Sequence, residues 1–125
     1  EKVFQMPFSN VYPLLVNKAV RKGRSQAEVD AVIAWLTGYD QATIHQLADS
    51  PIAYGAFFTQ APAMNPARKE IRGTICGLRV ETIQDPLMRD IRCLDKLVDA
   101  LAKGRPLENI LGLDRSAAPA AGAEK

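Results

Sequence analysis

The sequence predicts a mainly α-helical single domain, a compact bundle of about five to six helices, on three observations. Ser25-Gln26-Ala27-Glu28 is a capping box followed by an apolar stripe, Asp85-Pro86 opens a longer stripe that ends at Gly104, and a third apolar run ends at Gly23. In a capping box the serine oxygen accepts the N3 amide hydrogen while the glutamate reaches back to the N-cap amide. These signals place helices near residues 10–22, 25–37 and 86–103.

Length and composition set the frame. A chain of 125 residues falls within the size of one domain. It buries roughly two-thirds of its unfolded surface, enough for a core without disulfides or a structural metal. Cys76 and Cys93 have no CxxC spacing and no neighbouring histidine, so neither a zinc motif nor a disulfide framework is expected, and a reducing cytoplasm is the expected setting. The sequence has no apolar run of membrane-spanning length and does not open like a signal peptide. Sixteen basic against fourteen acidic residues give a net charge of +2, too balanced for a dedicated nucleic-acid binder.

Residues 1–112 read as the folded domain. Val3, Phe4, Met6, Pro7 and Phe8 lack a helical pattern and are expected to cross the domain as an extended N-terminal arm. Ser9 or Asn10 is expected to cap the first helix, with Pro13 in its first turn, where an amide has no intrahelical partner. Val11, Leu14, Leu15 and Ala19 are its expected buried side. Val29, Val32, Ile33 and Leu36 follow the capping box at i, i+3, i+4 and i+7, and Gly38 stands where a left-handed residue ends a helix. The short link Gly23-Arg24-Ser25 makes the two helices an αα-hairpin or a helix-turn-helix-like corner.

Asp40 is expected to cap a third helix bearing Ile44, Leu47 and Ala48, and Ser50-Pro51 a fourth bearing Tyr54, Phe57 and Phe58. The prolines of Ala61-Pro62-Ala63-Met64-Asn65-Pro66 make a loop. Residues 67–84 carry helical spacing in Ile71, Ile75 and Leu78, but Gly73 and Gly77 weaken a helix and Cys76, Leu78 and Val80 alternate like a strand. The reading leans to a helix broken near Gly77, with a short strand near 76–82 as the alternative. Leu87, Ile91, Leu94, Val98 and Leu101 line the last long helix, whose stripe should seat against the Val29–Leu36 ridge. A final turn runs from Pro106 to Leu111, and residues 113–125 are expected to be a disordered Ala/Pro tail.

Several ordered motifs carry a resemblance. Met6-Pro7-Phe8-Ser9-Asn10-Val11-Tyr12-Pro13, Trp35-Leu36-Thr37-Gly38-Tyr39-Asp40, Phe57-Phe58-Thr59-Gln60-Ala61-Pro62, Ile75-Cys76-Gly77, Asp85-Pro86-Leu87-Met88 and Leu94-Asp95-Lys96-Leu97 resemble a family of small bacterial proteins. The family is catalogued as a domain of unknown function, number twenty-two hundred in that series, and the resemblance spans about residues 3–112. It implies a bacterial cytoplasmic protein with a mainly helical fold, and brings no active-site residues. Cys93, where an aromatic is expected, and the tail depart from the pattern.

Four groups of residues are candidates for function. His45, the single histidine, falls beside the apolar face of its helix and reads as a surface or rim residue rather than a base set beside Ser50, Cys76 or Cys93. Along the last helix Asp95 and Asp99 are expected to face solvent, and Asp90 to sit at the core edge paired with an arginine or a helix N-terminus. Trp35 lies about 100° from the centre of its helix stripe. With Tyr39, Asp40 and His45 it is a candidate interaction surface or ligand pocket, while a second packing contact inside the domain is the preferred reading of Trp35 itself. Lys18, Arg21, Lys22 and Arg24 form a candidate basic patch, and Arg89, Arg92, Lys96 and Lys103 a second strip. Cations at a helix C-terminus already have a reason to be there in the macrodipole, and the following helix offers Glu28 and Asp30, a poor face for phosphates. Gly73 and Gly77 read as a close-packing pair rather than a phosphate cradle.

The reading is a non-catalytic cytoplasmic binding or interaction module, with no cofactor or metal and with a protein or a second copy of the chain as partner rather than nucleic acid or a membrane. Two alternatives stand beside it: a small-molecule enzyme with its pocket at Trp35, Tyr39, Asp40 and His45, and a weak nucleic-acid-associated protein using Lys18 to Arg24. A deep pocket gathering distant polar residues separates the enzyme from the module, where a flat apolar patch is expected instead.

Overall fold

The structure, a computed structural model, describes residues 2–75 and 77–111. Its helices are α1 (Lys2–Gln5), α2 (Phe8–Val20), α3 (Gln26–Thr37), α4 (Gln41–Ala48), α5 (Tyr54–Thr59), α6 (Pro86–Ala102) and α7 (Leu107–Leu111). Single 3-10 turns cover Pro66–Glu70 and Val80–Thr82, and between them β1 (Thr74–Ile75) pairs antiparallel with β2 (Leu78–Arg79). The fold is mainly helical, as the sequence predicts. No described helix is long and apolar enough to cross a membrane.

Local signals explain where the main helices begin. The Ser25 hydroxyl accepts the Glu28 amide at 3.2 Å and Glu28 Oε1 accepts the Ser25 amide at 3.0 Å, so both halves of the capping box are made. Asp40 caps α4 by accepting from Thr43 N at 2.7 Å, and Asp85 caps α6 by accepting from Leu87 N at 3.0 Å. Each such cap typically contributes about 1 kcal/mol. Packing then joins the helices. Val29, Val32, Ile33 and Leu36 of α3 and Leu94, Val98 and Leu101 of α6 have no exposed surface, and α6 packs on both α2 and α3. Burying a side chain of this size stabilises the fold by roughly 1.5–3 kcal/mol.

The entry to α2 differs from the sequence reading. The opening segment is not an extended arm throughout, because Lys2–Gln5 makes one helical turn. Pro7 then forms an isolated bridge with Ala53, in which Phe8 N donates to Ile52 O at 2.8 Å and Tyr54 N to Met6 O at 2.7 Å. That bridge starts α2 at Phe8, with no side-chain cap from Ser9 or Asn10, and leaves Pro13 inside the helix instead of in its first turn. Leu14, expected inside, is 61% exposed. The same bridge holds residues 52–53 extended, so α5 begins at Tyr54 and Ser50 instead closes α4 by donating to Leu47 O at 2.8 Å.

Residues 67–84 are not a helix. The strand expected near 76–82 is present as β2, paired with β1 so that Ile75 lies opposite Leu78. Gly77, between them, holds φ +81°, a conformation that glycine reaches without penalty and that no helix contains. The tail expected over 113–125 lies outside the described residues.

Arg24 fastens the α2–α3 corner to the far end of the bundle. Its Nη2 pairs with Glu28 Oε2 at 2.6 Å while Nη1 donates to Leu101 O at 3.2 Å and Arg105 O at 2.7 Å. The Arg24 guanidinium and then the Ser25 amide hold the Glu28 carboxyl down at about 2, from an ordinary 4.5. A carboxyl depressed in the folded state supplies stability that is complete above its unfolded pKa and is lost as pH falls through the folded one. The urea midpoint is therefore expected to fall as pH drops from 4.5 to about 2, and Glu28→Gln to make that fall smaller. Asp40 and Glu81, also depressed, keep part of the slope in the variant. Equal slopes in the two proteins would show that the Arg24–Glu28 pair is not formed.

Candidate functional site

Three helices bring their polar residues to one hollow. Ser9, Tyr12 and Pro13 come from α2, Gln26 from the first turn of α3, and His45, Ala48 and Asp49 from the end of α4. The hollow has a volume of about 580 Å³ and is open to solvent. Beneath it lies Asp30, one turn beyond Gln26 on α3 and 2% exposed.

Asp30 is the organising group. Tyr12 Oη donates to its Oδ1, while Gln41 Nε2 at 3.0 Å and His45 Nε2 at 2.7 Å meet its Oδ2. Gln26 Nε2 donates to Tyr12 Oη at 2.9 Å, which closes the network on the α2 side. Gln41 and His45 reach one carboxylate oxygen together because residues four apart stack on one helix face. A buried carboxylate is tolerated when its lone pairs are filled by donors, and three groups from two helices, Tyr12 of α2 and Gln41 and His45 of α4, do this here. Burial and the Asp30 carboxylate push the Tyr12 phenol up to about 12, so it remains a donor throughout the physiological range.

The network also fixes the imidazole. A carboxylate accepts and does not donate, so Nε2 carries the hydrogen that faces Asp30. Nδ1 is then the acceptor of the neutral ring, with no protein partner among the described residues. The His45 side chain is 45% exposed against 3% for Asp30, and its ring meets the Tyr12 ring edge-on at 6.1 Å. A half-exposed imidazole is thus held in one tautomer by a buried acid. No group of three or more metal-ligating side chains is assembled among the described residues.

Residues 2–112 match the bacterial family described as "Uncharacterized protein conserved in bacteria (DUF2200)". The chain belongs to that family. A solved structure titled "Crystal structure of uncharacterized protein SP1917" is similar to it, with 47% identity over 88% of this chain and 90% of that chain and a TM-score of 0.85. No curated protein matches the chain.

Of the four residues singled out around Trp35, only His45 lines the hollow. Trp35 is half-buried against the core. Tyr39 is buried, its hydroxyl donating to Phe57 O at 2.7 Å and its phenol raised by burial. Asp40 caps α4, and the Thr43 amide it accepts from holds its carboxyl below the usual range. The first basic group divides as well. Arg24 is committed to Glu28 and two carbonyls, and Lys18 pairs with Asp99 at 3.4 Å. Lys18, Arg21 and Lys22 share a shallow groove with Lys103.

The acids of α6 differ from expectation in one respect. Asp90 has its arginine, Arg68 Nε at 2.9 Å. Asp95 and Asp99 do not stand free in solvent: Asp95 pairs with Arg92 at 3.1 Å and Asp99 with Lys103 at 3.0 Å, at 23% and 17% exposure. Burial raises the Asp95 carboxyl.

Sequence reasoning missed Asp30, which it named only beside Glu28 as an acid that makes the helix a poor face for phosphates. At about 100° per residue, Asp30 lies as far from the stripe centre on one side as Trp35 does on the other. Its position at that edge, one turn after Gln26, is the signal that was available.

Proposed function

We propose that the protein is a cytoplasmic binding module whose recognition surface is the hollow between α2, α3 and α4, with His45 as its polar anchor. The observation that carries this reading is the pairing of a half-exposed imidazole with a buried carboxylate. Orienting His45 through Asp30 removes rotamer and tautomer freedom before a ligand arrives, and that preorganisation lowers the cost of binding. Nδ1 of the neutral ring and the exposed Asp49 carboxylate, at the negative end of α4, both accept hydrogen bonds. A small polar molecule bearing amine or amide donors matches that set.

Because His45 is the sole histidine, its ring resonances report on the hollow without assignment ambiguity. A long-range proton–nitrogen spectrum at neutral to mildly alkaline pH is expected to show the Nε2–H tautomer. Asp30→Asn should release the ring into a mixture. Titration with small amines and amides should move the His45 signals, and His45→Ala should abolish binding of those that do while leaving the circular dichroism of the fold unchanged. An Nδ1–H tautomer in the native chain, or no probe that moves the ring, would reject the reading.

The same geometry favours a second reading, a small-molecule enzyme. An imidazole whose Nε2–H is held by a buried acid has a basic Nδ1 and a counter-charge ready for the imidazolium, as general-base chemistry requires. Turnover of a bound probe that His45→Ala removes without weakening binding would establish it over the module.

A further inference from the structure

A second cleft lies where the 3-10 turn Pro66–Glu70 crosses the N-terminal half of α6, and it shares no lining residue with the hollow at His45. Its volume is about 310 Å³, and three cationic side chains line it: Arg68 and Lys69 from the turn and Arg89 from α6. Asp90 is the one acid in the lining, and it is already committed to Arg68. Arg68 also donates from Nη1 to Asn65 O at 2.9 Å, so it is tied at both ends.

The other two cations have charge to spare. Arg89 Nη2 makes one bond, to Lys69 O at 3.3 Å, and a guanidinium has five N–H donors. The Lys69 ammonium has no hydrogen-bond or ion-pair partner among the described residues. Arg89 makes no ion pair with Asp85, four residues earlier, among the described residues. It stands in the fourth residue of α6, near the positive end of the macrodipole, where a cation is disfavoured. Two cations line one cleft without a carboxylate of their own.

The rest of the lining suits an organic anion. Ile83 and Pro86 give the cleft an apolar wall, and Gln84 adds an amide. Cys93 lies within the lining, fully buried, with its thiol toward Arg68 O at 3.8 Å. Burial and the Asp90 charge push that thiol up to about 11, so it adds no negative charge to repel an anion.

We propose that this cleft binds a small phosphate monoester, with Lys69 and Arg89 holding the phosphate and the Ile83–Pro86 wall receiving the organic group. A phosphate monoester carries about −1.5 to −2 charge at neutral pH, which matches the two uncommitted cations. Guanidinium meets phosphate through paired N–H donors, and lysine meets it as a point charge.

The test uses the full chain, phenyl phosphate and inorganic phosphate, read by titration calorimetry at low ionic strength. Phenyl phosphate is expected to bind more tightly than inorganic phosphate, since inorganic phosphate has nothing to place on the apolar wall. Lys69→Gln with Arg89→Gln should weaken phenyl phosphate at least tenfold. Lys69 is exposed and Arg89 half-buried, and circular dichroism checks the fold. Arg21→Gln with Lys22→Gln, in the groove between α2 and α6, should leave the affinity unchanged, and the His45 ring signals should not move. Absence of binding overturns the proposal, as does affinity that survives the first double variant, falls equally in the second, or is no greater for the phenyl ester. A shift of the His45 ring would assign the anion to the other hollow and would likewise overturn it.

Discussion

Replacing Phe57 with alanine is expected to lower the free energy of unfolding by about 3–5 kcal/mol, the range found when a fully buried aromatic is truncated. Phe57 has no exposed surface. Its ring stacks on Phe8 at 4.0 Å and 11°, lies 4.8 Å from Tyr39, and meets Phe58 edge-on at 5.5 Å. Three parts of the chain therefore converge on one ring: the start of α2, the α3–α4 link and α5. The neighbours cannot close the space easily. Phe8 is held by the bridge between Pro7 and Ala53, and Tyr39 is tethered by its own hydroxyl to the Phe57 carbonyl. Domains of this size are stable by about 5–15 kcal/mol, so the variant should retain a small part of its margin. Urea unfolding followed by circular dichroism checks this, with an unchanged m-value showing that the same surface is exposed. A loss below about 1 kcal/mol would mean that these rings do not form a close-packed cluster.

What the sequence disclosed depends on the range of the interaction. The starts of α3, α4 and α6 were legible because Ser25, Asp40 and Asp85 satisfy amides two or three residues away, and the α3 and α6 stripes repeat at a single period. The start of α2 was not, because Phe8 N is satisfied by Ile52 O, across more than forty positions of chain, and no local residue records that. Residues 67–84 misled for a different reason. Apolar spacing in so short a segment fits either period, and Gly73 and Gly77, at φ +113° and +81°, shape turns instead of weakening a helix. The candidate site divides along the same line. His45 could be singled out by composition, but its setting comes from Asp30, fifteen residues earlier, and Tyr12, a helix before that. The type of partner that Asp90 required was foreseeable from the cost of an unpaired acid; that Arg68 would provide it, twenty-two residues away, was not.

Gly38→Ala is expected to cost about 2–5 kcal/mol, and the reason is where the chain goes after α5. Gly38 ends α3 at φ +83°, which an L side chain adopts at a cost of roughly 1–2 kcal/mol. The added methyl would also stand 2.8 Å from Ala63 Cβ, 2.9 Å from Ala63 N and 3.0 Å from Ala63 O. That loop cannot simply retreat. Ala63 N donates to Thr37 O at 3.0 Å, Asn65 N to Leu36 O at 2.9 Å and Asn65 Nδ2 to Trp35 O at 3.2 Å, so the loop closes the carbonyl end of α3. Forcing a methyl into such a contact typically costs a further 1–3 kcal/mol or so. Gly23→Ala separates the two effects. Gly23 has nearly the same φ, +85°, and its methyl would meet nothing within 4 Å, so that variant should lose roughly 1–2 kcal/mol by strain alone. Urea midpoints of the two variants, compared with the native chain, measure the contact by difference. Equal losses would show that residues 63–65 do not seat on the end of α3, and the loop that follows α5 would then lose its anchor.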